Sequence, residues 1–117
     1  MPFKKLVERL TKPTEEIDRE HLTEFCDARA LAPMDALEPR HPVRVGGEVR
    51  SVRIVPRAGA PALEVTVSDG RASVVAVFLG RRKIAGLSPG RKVALQGVVA
   101  RDGKRSLLTN PAYELLT

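Results

Sequence analysis

Apolar and polar positions change their rhythm near residue 43, and that change divides the chain. Before it, Phe3, Leu6, Val7 and Leu10 follow the i, i+3, i+4, i+7 spacing of one helix face and predict a first short helix. Pro13 interrupts. Thr14 followed by Glu15, Glu16 and Asp18 then predicts a second helix, with a capping side chain and acidic groups at the positive end of the helix dipole. Its apolar stripe is Ile17, Leu22, Phe25 and Cys26, with Ala28 and Ala30 behind them. Pro33, Pro39 and Pro42 space out a connector that contains His41 and ends any helix.

From Val43 the period is two. Val43, Val45 and Val49 alternate with Arg44, Gly46, Glu48 and Arg50, and the apolar phase then slips to Val52 and Ile54. A one-residue slip predicts a bulge near Arg50 and Ser51 in a long, bent strand. Residues 56–61 are a turn cluster of Pro, Gly and Ala. Leu63, Val65 and Val67 alternate with Glu64, Thr66 and Ser68 in a second strand, and Asp69-Gly70 predicts a hairpin into a third at residues 72–79. Residues 80–90 break the strand rhythm and predict a short helix or turn closed by Ser88-Pro89-Gly90. Val93, Leu95, Gly97 and Val99 mark a fourth strand. Asp102-Gly103 marks another hairpin, and residues 105–109 form a last strand running into Asn110-Pro111 and Tyr113.

Three strands, a short helix and two strands in this order predict a mainly β chain built on a five-stranded Greek-key oligonucleotide/oligosaccharide-binding (OB) barrel. An SH3-like barrel has no helical insert between strands three and four, and a split βαβ fold needs two longer helices. The expected organisation is a helical N-terminal arm and Pro-rich connector over residues 1–42, followed by the barrel over residues 43–117.

Composition removes many functions. Hydrophobic residues make up 43% and charged residues 29%, as in an ordinary globular chain, and no apolar run approaches membrane-span length. The charged start gives no unbroken apolar signal segment, and the single cysteine, Cys26, excludes an internal disulfide and a Cys-based zinc site. A reducing cytoplasm is the expected location. His21 and His41 are not a spaced metal pair, and no phosphate loop, nucleophile elbow or Cys-x-x-Cys is present. Asp69 and Asp102 precede glycines, where a turn wants an aspartate, so with Glu48 they do not suggest a metal site. No constellation suggests acid–base catalysis, so no enzyme activity, cofactor or metal is expected.

What stands out is charge. The net is +6 overall, but residues 1–42 carry −2 (seven basic, nine acidic) and residues 43–117 carry +8 (thirteen basic, five acidic). A single nucleic-acid strand exposes phosphates and unstacked bases, so its binder needs a cationic groove with stacking platforms. On an OB barrel, strands two and three and the loops joining strands one–two and four–five line that groove. Arg57, Arg71, Arg101, Lys104 and Arg105 fall on those elements, with Arg50, Arg53, Arg81 and Arg82 behind them. Arginine also stacks on bases. Phe78 is the candidate aromatic: if the Leu79 face is core it points outward and can stack on a base, and equally it can bury against the N-terminal helix, whose Ile17, Leu22 and Phe25 need an apolar partner.

The ordered series Val45-x-Gly47-x-Val49, Val67-Ser68-Asp69-Gly70, Val75-x-Val77-Phe78-Leu79 and Leu87-x-Pro89-Gly90-x-x-Val93-x-Leu95-x-Gly97-x-Val99 resembles the tRNA-anticodon-type OB family. It is most similar to the wedge domain of RecG-type branched-DNA helicases, and Asn110-Pro111-x-Tyr113-Glu114 looks like the end of that wedge. With its helical arm the whole chain is similar to small stand-alone actinobacterial OB-fold proteins. The resemblance covers about residues 43–116. There is no ATPase motor, and Leu79 stands where the wedge often has a second aromatic.

The resemblance implies a non-catalytic nucleic-acid binder, for single-stranded or branched DNA ahead of RNA, of low sequence specificity. The alternative is a protein-interaction or adaptor domain whose groove is filled by the acidic arm or by a protein partner.

Overall fold

The computed structural model describes residues 14–116. The helix expected from Phe3 to Leu10 lies outside them. The second expected helix is present as α1, Thr14–Ala28, with Glu15 and Glu16 in its first turn. A single 3-10 turn, Met34–Ala36, interrupts the connector. Six strands follow: β1 Pro42–Arg57, β2 Ala60–Ser68, β3 Ser73–Leu79, β4 Lys92–Asp102, β5 Arg105–Thr109 and β6 Ala112–Leu116. The described chain is mainly β.

The strands form one sheet that closes in a ring, because β1 pairs twice. Its first half, from Pro42 to Glu48, lies antiparallel to β4, and its second half, from Glu48 to Arg57, lies antiparallel to β2. The remaining pairings are β2–β3 antiparallel, β3–β5 parallel and β5–β4 antiparallel. The register shift needed to bend β1 falls between Val49 and Ser51, where the phase slip puts it. Arg50 is the extra residue. Before it Val45 and Val49 face inward; after it the parity changes.

The interior is filled by Val45, Val49, Leu63, Val65, Val67, Val74, Phe78, Leu95 and Leu108 among others. Burying so much branched apolar surface is the main stabilising contribution, at roughly 25 cal/mol per Å². Met34 and Leu37 from the connector and Ile84 and Leu87 from the β3–β4 connection join the same core. The connector is thus part of the packed body.

Two expectations are corrected. Residues 80–91 contain no helix: they run as tight turns, with the Leu87 amide donating to the Ile84 carbonyl at 3.2 Å and the Arg91 amide to Ser88 at 3.1 Å. Gly86, at φ 86°, sits in the left-handed region and Pro89 follows three residues later, so helical turns cannot accumulate. The sheet also has six strands where five are expected. After β5 the chain turns a corner at Asn110, which takes φ 48° and accepts the Leu79 amide on its Oδ1 at 2.9 Å. Residues 112–116 then continue along the edge of β4 as β6, pairing Ala112 with Gln96 and Leu116 with Lys92.

α1 packs against the outer side of β1 and β4. Leu22 and Cys26 meet Leu31 and Ala94 there. Gly46 makes this approach possible, since a Cβ at that position would lie 2.8 Å from Leu31 Cδ1 and 2.6 Å from the Val93 carbonyl oxygen. The Cys26 thiol donates to the Gly46 carbonyl at 3.3 Å. Burial first, then the charges of Asp69 and Asp27, push its pKa up to about 11, so it stays a protonated, unreactive core group.

Candidate functional site

The outer face of β1, β2, β3 and β5 carries the most distinctive polar arrangement. Glu64 of β2 is only 4% exposed, on a face shared with Thr66 and across from Arg53 and Val77. A buried carboxylate needs partners, and it has three. Its Oε1 accepts from Arg53 at 3.2 Å and from Arg105 at 3.3 Å, and its Oε2 accepts from Arg57 at 3.1 Å. Arg105 also donates to Asp102 at 2.9 Å. A small apolar cluster of Ala62, Val75, Val77 and Leu107 lies on the sheet apart from the main core.

Burial pushes the Glu64 pKa up, but hydrogen bonds from Arg57 and Arg53 and the charge and hydrogen bond of Arg105 outweigh it. The carboxyl is held below its ordinary value. A depressed folded pKa means that its contribution to stability is fully present above the ordinary glutamate range and is lost as pH falls through the lower folded value. Acid unfolding followed by circular dichroism should therefore cost the wild type more than Glu64→Gln over that window; equal losses would show that the cluster does not couple to folding.

A groove of about 430 Å³ opens beside this cluster, lined by Ser51, Arg53, Glu64, Thr66, Ser73, Val75, Lys104, Arg105 and Ser106. A second groove of about 390 Å³ is lined by Arg19, Arg50, Thr66, Ser68, Gly70, Arg71, Ala72 and Ser73. The two share Thr66 and Ser73, so they form one trough that crosses the sheet. Its described lining holds six cations (Arg19, Arg50, Arg71, Arg53, Lys104 and Arg105) and one carboxylate, Glu64, and at Arg19 and Gly70 it adjoins a hollow lined by Glu16, Glu20 and Glu24. Among the described residues no aromatic lines it.

Of the expected site residues, Arg50, Arg53, Arg71, Lys104 and Arg105 line this trough, and Arg57 joins them from behind through Glu64. Arg50 is paired with Glu48 at 3.1 Å, and Arg71 makes a two-pronged pair with Asp27 of α1 at 3.0 and 2.8 Å. That pair holds the Asp27 carboxyl below its usual range. Lys104 makes no ion pair or hydrogen bond with any described residue.

The other four are elsewhere. Arg81 and Arg82 are exposed in the turn after β3, and Arg101 donates to the Leu37 carbonyl at 3.1 Å, tying the connector down. Phe78 requires a correction. It is 6% exposed, in the interior of the ring, because the β2–β3 register sets Leu63 opposite Phe78 and Val65 opposite Ala76 on the inward face. It packs neither on the helix nor toward the trough; its ring meets Tyr113 edge-on, with centroids 5.9 Å apart. Leu79, 48% exposed, takes the outward position.

Arg19, Glu64 and the hydroxyls of Ser51, Thr66 and Ser73 belong to the site but were not singled out by sequence. Thr66 and Ser73 carried the signal of polar positions in alternating strands. Arg19 carried none, since only the docking of α1 beside the β2–β3 turn, with Thr23 Oγ1 donating to the Asp69 carbonyl at 3.1 Å, brings it there. α1 contributes Arg19 and no other residue to the trough lining, so this part of the arm borders the trough without covering it.

Among the described residues no group of three or more His, Cys, Asp or Glu side chains is placed to hold a metal ion. No helix among them is long and apolar enough to cross a membrane. The chain matches no protein-family model, and a comparison with curated proteins finds no match either.

Proposed function

We propose that this chain is a non-catalytic OB-type nucleic-acid-binding module of the cytoplasm, holding single-stranded DNA, including the unpaired parts of branched DNA, mainly by its backbone. The observation that carries the reading is the trough, in which six cations and several hydroxyls face one carboxylate that is itself neutralised. The strand order β1–β2–β3–β5–β4 with closure by β1–β4, and the parallel β3–β5 contact, support the OB assignment. In that fold the ligand lies across β2 and β3, flanked by the loop between β4 and β5, which here carries Lys104.

Cations and hydroxyls recognise phosphates, which are the same at every nucleotide. A trough without aromatic rings gains little from base stacking, which elsewhere supplies about 1–3 kcal/mol per base. Low sequence selectivity and strong salt dependence follow. If four phosphates are contacted on a single strand, the log–log slope of affinity against salt is roughly −3.

The test is fluorescence anisotropy with labelled single-stranded, duplex and forked DNA and single-stranded RNA, at low and near-physiological salt. Binding to single strands or forks at micromolar concentration or below, weakening steeply with salt, is the expected result. Absence of binding to all four at low salt would overturn the reading and turn attention to a protein partner.

A further inference from the structure

Resting on the reading of the trough as a nucleic-acid site, we propose that Glu64 is the positioning residue of a three-arginine clamp that seats one backbone phosphate. Arg53, Arg57 and Arg105 come from two strands on either side of β2 and β3, and like charges brought this close repel. The Glu64 carboxylate, which accepts from all three within 3.1–3.3 Å, is what permits their convergence. It lines the groove but is only 4% exposed, with both carboxylate oxygens taken up by the guanidiniums. The side chains of Arg53 and Arg105 are 65% and 41% exposed and line the groove. A guanidinium has five N–H donors. Glu64 engages one nitrogen of each, Asp102 one more of Arg105, and the donors left on Arg53 and Arg105 suit the paired oxygens of a phosphodiester. Arg57 backs the arrangement from a half-buried position. Lys104 stands on the same groove with its ammonium unpaired among the described residues.

The opposite expectation is that Glu64 is merely a negative charge in a site for a polyanion, so that its removal tightens binding. Glu48 separates the two. It also lies beside the trough cations, paired with Arg50 at 3.1 Å and with Lys92 at 4.0 Å, and Glu48→Gln adds the same charge as Glu64→Gln. If only the field matters, both variants bind single-stranded DNA more tightly.

With the clamp, Glu48→Gln binds as well as the wild type or better, whereas Glu64→Gln binds roughly five- to tenfold more weakly. Its salt slope is also shallower by about 0.7, the value of one phosphate contact on a single strand. Arg53→Gln carries the same test on an exposed side chain whose loss leaves Glu64 with two partners, and should lose the same slope. The double variant should bind no more weakly than Arg53→Gln alone, because both remove one contact. Circular dichroism melting checks that each variant is folded. A wild type that binds and a folded Glu64→Gln that binds as tightly or more tightly would overturn the clamp and leave the trough reading standing. A wild type that binds no nucleic acid would overturn the trough reading and the clamp with it.

Discussion

Replacing Arg19 and Lys104 together by glutamate lowers the affinity for single-stranded DNA by roughly 30- to 100-fold at low salt. The two residues stand at opposite ends of the trough, one on α1 and one in the β4–β5 turn. Both are exposed, and neither side chain forms an ion pair or hydrogen bond with a described residue, so their replacement breaks no side-chain contact that holds the fold. If the trough holds a nucleic-acid backbone as proposed, each reversal removes one phosphate contact and adds a repulsive charge beside the strand's path. The salt slope should become shallower by about 1.4, two contacts at about 0.7 each.

The control is Arg81→Glu with Arg82→Glu, which changes the net charge by the same amount, from +6 to +2, at exposed positions outside the trough. Screening beyond about 8–10 Å limits what a distant charge contributes at ordinary salt, so this pair should lose less than about fivefold. Anisotropy titrations of both pairs at two salt concentrations decide the matter. Equal losses would mean that the net charge binds, without a defined path.

Asp69→Ala destabilises the fold by about 2–4 kcal/mol, more than any surface change proposed above. Asp69 is 1% exposed and accepts three backbone hydrogen bonds. Oδ1 takes the amides of Arg71 at 2.9 Å and Ala72 at 3.0 Å, closing the β2–β3 turn. Oδ2 takes the amide of Met34 at 2.8 Å, from a connector 35 residues earlier in the chain. Alanine leaves the buried Met34 amide without a partner, which costs about 1–3 kcal/mol, and strips the part-buried amides of Arg71 and Ala72 of the carboxylate that closes the turn. It also frees Met34, a member of the main core, and Arg71, which the turn presents to the trough. Urea unfolding should show a lower midpoint with an unchanged m-value. Asp69→Asn, which keeps one acceptor oxygen, should fall between the two. A loss below 1 kcal/mol for the alanine variant would mean that Asp69 serves the local turn alone.

Asp69 illustrates how far the chain could be read without coordinates. Its place before Gly70 marks a hairpin, and the hairpin is there. Nothing in a turn signal reveals that the second carboxylate oxygen is occupied by Met34. The same division applies to Phe78. Period-two alternation separates the Phe78 face from the Leu79 face, but Val74 and Ala76 are as apolar as Val75 and Val77, and both faces of β3 are buried. Only ring closure makes one of them the interior. β6 was missed because Asn110-Pro111 interrupts the strand rhythm, while β4 continues past the corner and offers its edge to residues 112–116.

Local physics, acting over a few residues, was enough to set α1, the strands β1 to β5, the bulge at Arg50, the hairpins and the concentration of positive charge after residue 42. These follow from side-chain periodicity, turn chemistry and charge counting, which need no knowledge of distant partners. Tertiary structure alone decided which arginines converge, that Glu64 neutralises three of them, that Arg19 joins the trough, and that Phe78 is withheld from it. Those outcomes depend on strand register and ring closure, which bring together residues far apart in the chain, 41 positions in the pair Arg105 and Glu64.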